Sequence, residues 1–171
     1  PTTGYEESKL VELAKKINHL PDGKKYFRKI VKLFDDRLAM LDTDRLDWAM
    51  GELLAYATLL EEGFSVRISG QDVERGTFSH RHAVVKTEDD EEEVIPLNLL
   101  SKSQGKFDIY NSFLSEYAVL GFDYGYAFNT PNGLTIWEAQ FGDFFNGAQI
   151  IIDQFLSCLL YTSDAADDVE C

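Results

Sequence analysis

The change of hydrophobic period at Gly63 constrains the fold of this chain more than any other feature. Beyond this glycine, short alternating or apolar runs, which predict strands, take turns with helical patterns. In chain order these elements lie at residues 64–68 (strand), 84–85 (strand), 107–110 (strand), 115–128 (helix), 134–138 (strand) and 147–156 (helix). Strand, helix, strand, helix at these lengths predicts an α/β domain with a parallel sheet. The acidic run at residues 88–93 predicts a solvated loop tip.

Residues 6–62 predict helices, because apolar residues recur there at helical spacing on both sides of a break at residues 21–23. The stripe after the break comprises Phe27, Ile30, Val31, Phe34, Leu38 and Leu41. The next helix has a stripe of Leu46, Ala49, Met50, Leu53, Ala57 and Leu60, with Trp48, Ala55 and Leu59 on its other side. We therefore expect this helix, which ends at Gly63, to be buried on more than one side.

Composition excludes two classes of partner. With 171 residues, 44% of them hydrophobic, the chain has the size of one domain with a flanking element and can bury a core. Its net charge of −14 argues against nucleic acid and anionic membrane surfaces, because phosphate neutralisation needs clustered Lys and Arg. No apolar run approaches the roughly 20 residues that span a bilayer. We therefore expect binding to neither nucleic acid nor membrane.

The segment at residues 158–171 predicts a foreign origin. From Cys158 to Asp168 the sequence reads as one frame of the transposase adapter DNA used to build sequencing libraries. We therefore expect the natural protein to stop at about Ser157. Both cysteines, Cys158 and Cys171, fall in this segment. The remaining residues contain no cysteine, which excludes a disulfide framework and a thiolate metal site from them.

Four blocks of sequence stand in the order found in a known enzyme family. They are Asp47-Trp48 with LLAYATL at 53–59, SGQD at 69–72 with RGTFSHRHAV at 75–84, YNSFLSEYAVLGF at 110–122, and WEAQFGDF at 137–144 with NGAQ at 146–149. On these blocks the chain resembles the thiamine-diphosphate-dependent decarboxylating component of 2-oxoglutarate dehydrogenase. The resemblance covers nearly all of residues 1–157. It implies an α/β, parallel-sheet, transketolase-like pyrimidine-binding region at 63–157, preceded by a helical connector and first domain helix at 1–62.

The resemblance also implies an activity and its partners. The parent enzyme would decarboxylate 2-oxoglutarate with thiamine diphosphate and pass the succinyl group to the lipoyl arm of a succinyltransferase component. It would be a homodimer, in the cytoplasm of a bacterium or the mitochondrial matrix of a eukaryote. Two alternatives stay open. One is a 2-oxoadipate-specific relative, since nothing in the sequence fixes the length of the substrate; the other is a non-catalytic α/β interaction domain.

The resemblance places half of the cofactor site elsewhere. Enzymes of this family bind the diphosphate and Mg²⁺ through a Gly-Asp-Gly motif followed by Asn, in a second domain that usually belongs to another subunit. This sequence has no Gly-Asp-Gly. We therefore expect the chain by itself to be inactive, with its Mg²⁺ ligands outside this segment.

Glu116 is the residue to which the resemblance assigns catalysis. A Glu in the first turn of a helix is ordinary, because a carboxylate suits the positive end of the helix dipole. However, Leu114-Ser115-Glu116 matches a step at which the family's Glu hydrogen-bonds N1′ of the aminopyrimidine ring and helps that ring to take a proton from thiazolium C2. Leu114 and Phe141 are the other implied cofactor-binding residues. Most aromatics at strand ends belong to the core, but the family's aromatic at the position of Phe141 stacks on the aminopyrimidine.

The segment from Arg75 to His82 is the third candidate. His80 and His82 are two apart, so in a strand they would share a face, a spacing that can hold a metal. We expect no metal site, because no further ligand stands at a suitable spacing. The resemblance implies a loop at the active-site mouth, where Arg75, His80 or His82 meets an anionic substrate or holds the loop by hydrogen bonds. Ser79, His82 and Asp72 can be written as a hydrolase triad, but no nucleophile elbow supports it.

Overall fold

A computed structural model describes residues 3–43 and 45–157, so that the predicted foreign segment lies outside the described residues. The α-helices are α1 Glu7–Ile17, α2 Arg28–Thr43, α3 Trp48–Glu61, α4 Glu116–Asn129 and α5 Gln149–Ile151. The strands are β1 Val66–Gly70, β2 Val85–Lys86, β3 Glu93–Val94, β4 Phe107–Asn111 and β5 Leu134–Glu138. The chain divides into two compact units, unit 1 with Pro1–Val66 and Glu74–Asp108, and unit 2 with Arg67–Val73 and Ile109–Cys171.

Unit 1 is built around the first three helices, which confirms the predicted helical segment. α1 packs against α3. The Met50 N–H donates a hydrogen bond to Oδ1 of Asp47 at 2.7 Å, and this cap fixes the start of α3. The core of the pair consists of Leu13, Ala14, Ile17, Met50, Leu53, Ala57 and Leu60. In the part of the chain that the structure describes, no helix is both long enough and apolar enough to cross a membrane.

The second and third helices differ in burial from the patterns of their sequence. On α2, Phe34 is buried, but the most buried side chain of the helix is the cation of Arg37, and Phe27, immediately before the helix, is 50% exposed. On α3, the predicted stripe is buried from Ala49 onward, but Trp48 on the other side is 95% exposed. The helix is therefore buried on one broad face only, because the described part of unit 1 leaves the opposite side open.

A small antiparallel hairpin completes unit 1. β2 pairs with β3 through Val85 with Val94 and Lys86 with Glu93. Residues 88–92 of the acidic run form the exposed tip of this hairpin, as predicted, and Glu93 begins β3. A 3-10 helix follows at Pro96–Leu99. The sequence pattern predicted the first strand but not its partner, because β3 has only two residues, one of them acidic.

A parallel three-stranded sheet with the order β4-β1-β5 forms the centre of unit 2. α4 connects β4 to β5 and packs against β5. Its buried residues, Val119 and Leu120, face the core that also contains Ile68 and Ile109. This arrangement confirms the predicted α/β class and the predicted parallel sheet.

The segment after β5 differs from the predicted helix at residues 147–156. It consists of a 3-10 helix at Gly142–Ala148, the single α-helical turn of α5, and a π-helical turn at Ile152–Ser157. Helical apolar spacing does not separate these forms, since all three place residues three to five apart on one face. The 3-10 helix packs against α4, which makes it part of the surroundings of the candidate site.

Candidate functional site

The carboxyl ends of the three parallel strands lie together in unit 2. The Ser112 N–H donates a hydrogen bond to the Gly70 carbonyl at 2.7 Å, which joins the end of β4 to the end of β1. A Cβ at Gly70 would collide with the Glu138 carbonyl oxygen, so a glycine is needed where β1 and β5 end. Ligands of open parallel sheets bind outside this edge. Both Glu116 and Phe141 follow strands that end here.

Glu116 lies in the first turn of α4, directly after β4. The helix begins there because Ser115 has an extended backbone and its carbonyl accepts hydrogen bonds from the N–H groups of Ala118 and Val119 at 3.0 and 3.1 Å. The Glu116 side chain is half-buried. Its carboxylate makes no hydrogen bond or ion pair with any other residue in 3–43 and 45–157. Both oxygens are therefore available to a ligand.

Gly147 borders this carboxylate. A Cβ built on Gly147 would lie 2.9 Å from Oε2 of Glu116. In the sequence this glycine stands out only as part of the block NGAQ at 146–149, which assigns it no role. No local pattern predicts the contact, because it depends on how the 3-10 helix packs against α4.

Leu114 and Phe141 both expose apolar surface in unit 2. Leu114, two residues before Glu116, is 56% exposed. Phe141, immediately before the 3-10 helix, is 46% exposed, and its ring meets that of Phe144 edge to face at a centroid distance of 5.8 Å. Phe141 is therefore not an ordinary core aromatic.

Arg75, His80 and His82 lie in a loop of unit 1 that is held by backbone hydrogen bonds. The N–H groups of Arg81 and His82 both donate to the Arg75 carbonyl at 2.9 Å. From α2, the buried Arg37 donates through Nη2 to the carbonyls of His80 and Arg81, each at 2.7 Å. The segment is thus a tight loop and not the strand that a shared histidine face requires.

His80 is held by a glycine and a carboxylate. Gly76 has a φ of +79°, and a Cβ there would collide with the imidazole ring of His80. Nε2 of His80 lies 3.9 Å from Oε2 of Glu52. Oε1 of the same Glu52 accepts from Nη2 of Arg81 at 2.8 Å. Nδ1 of His80 is buried without a hydrogen-bond partner among the described residues. Its ring is therefore fixed in place but retains one uncommitted nitrogen.

His82 has different neighbours. Its Nε2 lies 2.9 Å from the hydroxyl oxygen of Ser79, and both residues have left-handed backbones, with φ of +42° and +55°. Burial lowers the pKa of His82 below its ordinary value, and the cations Arg37 and Arg75 lower it further. The side chain also borders an open cavity of about 640 Å³. At neutral pH His82 is thus an uncharged hydrogen-bonding group.

The family of the chain follows from a comparison with family models. The model described as the transketolase pyrimidine binding domain matches residues 44–164. The chain belongs to this family. The match includes the whole parallel sheet, α4 and every candidate residue of both units.

Curated relatives of this pyrimidine-binding domain are E1 components of 2-oxoglutarate dehydrogenase. The protein of that name from Haemophilus influenzae is 50% identical over 154 residues, which are 90% of this chain and 16% of the relative. The Rickettsia felis protein is 53% identical over 156 residues, 91% of this chain and 16% of the relative. A mitochondrial 2-oxoglutarate dehydrogenase from Caenorhabditis elegans is 51% identical over 158 residues, 92% and 15% respectively. The chain thus spans about one sixth of the length of these relatives.

Two further features of the described residues could not be singled out from the sequence. One is Arg37, whose position within an apolar stripe gave no sign that it would be the buried support of the loop. The other is the contact between Ser79 and His82, which sequence alone offered only as part of a hydrolase triad. As for metals, no cluster of three or more His, Cys, Asp or Glu is present among residues 3–43 and 45–157.

Proposed function

We propose that the chain supplies the aminopyrimidine half of the thiamine diphosphate site in the E1 component of a 2-oxoglutarate dehydrogenase. That enzyme decarboxylates 2-oxoglutarate oxidatively and transfers the succinyl group to a lipoyl group. The names of relatives at 50–53% identity support the enzyme assignment. The placement of Glu116 carries the site assignment, because its half-buried carboxylate lies at the carboxyl edge of a parallel sheet and has no protein partner in the described residues.

The residues of unit 2 fit the pyrimidine end of thiamine diphosphate. A site for a ring with basic nitrogens needs a carboxyl group that hydrogen-bonds a ring nitrogen and an apolar surface that contacts the ring. It also needs open space for the ring beside these two features. Glu116 offers the carboxyl group, Leu114 and Phe141 offer half-exposed apolar surface, and Gly147 leaves the side of the carboxylate open. When bound, the cofactor would supply a thiazolium C2 that adds to a 2-oxo group after losing its proton, and a positively charged ring that accepts the electrons of the broken carbon–carbon bond.

In this proposal each side chain has a separate task. Glu116 shares a proton with N1′ of the aminopyrimidine through a hydrogen bond. This general acid–base catalysis assists removal of the proton from C2 of the cofactor. Phe141 contacts the ring plane and keeps N1′ aligned with the carboxyl group. Leu114 covers apolar surface of the same ring and excludes water. The diphosphate and Mg²⁺ bind to residues outside this chain.

The loop of unit 1 is proposed to serve the substrate. Of its three candidates, Arg75 is exposed and carries a positive charge suited to a carboxylate of 2-oxoglutarate. His82 is a neutral hydrogen-bonding group, whereas His80, whose Nδ1 is buried, is the candidate for holding the loop. A cation and the neutral imidazole of His82 suit an anionic dicarboxylate better than an apolar 2-oxo acid.

We propose the remaining assignments on the resemblance. The enzyme would be a Mg²⁺-dependent homodimer that works with a lipoyl-bearing succinyltransferase, in a bacterial cytoplasm or a mitochondrial matrix. Within the chain, residues 1–62 would be the connector and first helix, residues 63–157 the pyrimidine-binding region, and residues 158–171 an adapter-derived addition.

The test is Glu116→Gln in the full-length enzyme. An amide is nearly isosteric and still hydrogen-bonds N1′, but it does not deliver a proton. We expect turnover of 2-oxoglutarate and deuterium exchange at C2 of the bound cofactor to fall by about 10²–10⁴, with thermal unfolding unchanged.

Two outcomes would contradict this proposal. Normal turnover and normal exchange by Glu116→Gln would make Glu116 an ordinary first-turn residue, and the proposed aminopyrimidine site would be wrong. A higher kcat/KM of the parent enzyme for 2-oxoadipate than for 2-oxoglutarate would assign the chain to the 2-oxoadipate-specific relative.

A further inference from the structure

The backbone conformation at Gly147 does not require a glycine. The left-handed glycines among the described residues are Gly23, Gly63, Gly70 and Gly76, so that the backbone of Gly147 is one that any residue adopts. It lies near the end of the 3-10 helix Gly142–Ala148 and is exposed on its outer side. The absence of a side chain must therefore serve the space around it.

The side chain of Glu116 lies in the space next to Gly147. The three atoms closest to a Cβ built on Gly147 are Oε2 of Glu116 at 2.9 Å, Cδ at 3.4 Å and Cβ at 3.5 Å. Ordinary contacts of a Cβ begin near 3.4 Å. Only the carboxylate oxygen is too close, and it lies at the free end of a flexible side chain. A methyl group at position 147 would thus move the carboxylate by some tenths of an ångström while leaving the backbone of both elements in place.

We propose that Gly147 is a positioning residue for the reaction, because it sets where the Glu116 carboxylate lies without touching substrate or cofactor itself. The inference rests on the proposed function of Glu116. A hydrogen bond between a carboxyl group and a ring nitrogen depends steeply on distance and angle. Displacement of Oε2 therefore weakens proton delivery at N1′ more than it weakens the fold.

The experiment compares three variants of the full-length enzyme: Gly147→Ala, Gly125→Ala and Glu116→Gln. Gly125 is the matched control, since it lies in α4 with Glu116 and nothing stands within 4 Å of its built Cβ. Four quantities are measured: kcat, the KM for 2-oxoglutarate, the Kd of thiamine diphosphate with Mg²⁺ by calorimetry, and the thermal midpoint of the cofactor-free protein.

We expect Gly147→Ala to lower kcat by about 10- to 100-fold, as for other small misplacements of a reacting group. The KM for 2-oxoglutarate should match that of Gly125→Ala, and the thermal midpoint should not fall below that of the parent enzyme. The Kd of the cofactor should rise by about tenfold, since a hydrogen bond to a charged group is misaligned.

Three results separate the possibilities. If Gly147→Ala matches Gly125→Ala in kcat and Kd while Glu116→Gln is inactive, the positioning role is wrong and the proposed function of Glu116 stands. If Gly147→Ala loses activity only in proportion to a lowered thermal midpoint, Gly147 is a packing residue and the positioning role is again wrong. If Glu116→Gln is fully active, the proposed function fails first and the inference fails with it.

Discussion

Arg67 on β1 and Asp123 on α4 form a nearly buried ion pair within unit 2. Nε of Arg67 donates to Oδ1 of Asp123 at 2.8 Å, and the side chains are 17% and 2% exposed. The Ser69 hydroxyl donates to the other carboxylate oxygen. Asp123 lies seven residues after Glu116, on the same side of the helix. The pair therefore fixes the helix that carries the candidate catalytic residue to the central strand of the sheet.

Asp123→Asn should destabilise the protein by about 2–4 kcal/mol, because it leaves the Arg67 cation without its counter-charge in a nearly buried position. The guanidinium also lies over three aromatic rings at 4.9–5.3 Å, those of Tyr110, Phe122 and Tyr126. These contacts limit the loss but do not replace the carboxylate. Urea unfolding measures the change.

Asp36→Asn is the control for this variant. Asp36 pairs with Lys32 at 2.7 Å, but both side chains are exposed, so that the pair contributes little to stability. Equal urea midpoints for Asp123→Asn and Asp36→Asn would contradict the assignment of Arg67–Asp123 as a stabilising pair.

Arg37→Met should destabilise unit 1 by about 2–4 kcal/mol, because the part-buried carbonyl of His80 and the buried carbonyl of Arg81 lose their donor. The expected destabilisation is moderate, because removal of a buried cation also removes the free-energy penalty of burying its charge. Amide hydrogen exchange should speed up at Arg81 and His82. Arg28→Met, an exposed position on the same helix, is the control. The prediction fails if exchange in the loop is equally slow in both variants.

The depressed pKa of His82 should make stability depend on pH. In the unfolded chain His82 takes up a proton as the pH falls through about 6.5. In the folded chain, burial and the cations Arg37 and Arg75 delay uptake to a lower pH. The unfolded state then binds more protons, so stability is complete above about pH 6.5 and decreases as the pH falls below it.

His82→Asn tests this dependence, since Asn tolerates the left-handed backbone at this position. The free energy of unfolding is measured in urea between about pH 7.5 and about pH 5.5. We expect the parent chain to lose more stability over this range than the variant. Parallel pH profiles for the two proteins would show that His82 does not titrate differently in the folded state.

The chain alone should not bind thiamine diphosphate tightly, because its sequence has no Gly-Asp-Gly motif for the diphosphate and Mg²⁺. Calorimetric titration of residues 1–157 with the cofactor and Mg²⁺ should give no Mg²⁺-dependent binding in the micromolar range. The full-length enzyme is the positive control. Micromolar binding by the short chain would mean that the proposed division of the site is wrong.

The elements of unit 2 that carry the site were largely predictable from sequence. The helix expected at residues 115–128 is present at Glu116–Asn129, and the strand expected at 134–138 has those same bounds. Such elements can be predicted because the spacing of hydrophobic residues within each of them indicates a helix or a strand. The side chains of Glu116 and Phe141 could be singled out only because the resemblance names their positions.

The contacts behind the candidate residues were not predictable in this way. Gly76 and Gly147 accommodate His80 and Glu116 across gaps of four and 31 residues in the sequence, and a glycine in a loop or short helix looks the same whether or not it faces a side chain. The buried Arg37 interrupts an apolar stripe, where a cation is expected to face water. The roles of Gly76, Gly147 and Arg37 depend on tertiary packing, which the local spacing of hydrophobic residues does not predict.

The left-handed backbones of Ser79 and His82 have a consequence for protein engineering. A residue with a Cβ holds this conformation at a cost of about 1–2 kcal/mol. The loop keeps its shape because Arg37 on α2 and Glu52 on α3 hold it through hydrogen bonds and an ion pair. The loop's own backbone hydrogen bonds to the Arg75 carbonyl supply only part of that support. A graft of the loop alone onto another scaffold would relax, so that the smallest transferable module consists of the loop together with both helices.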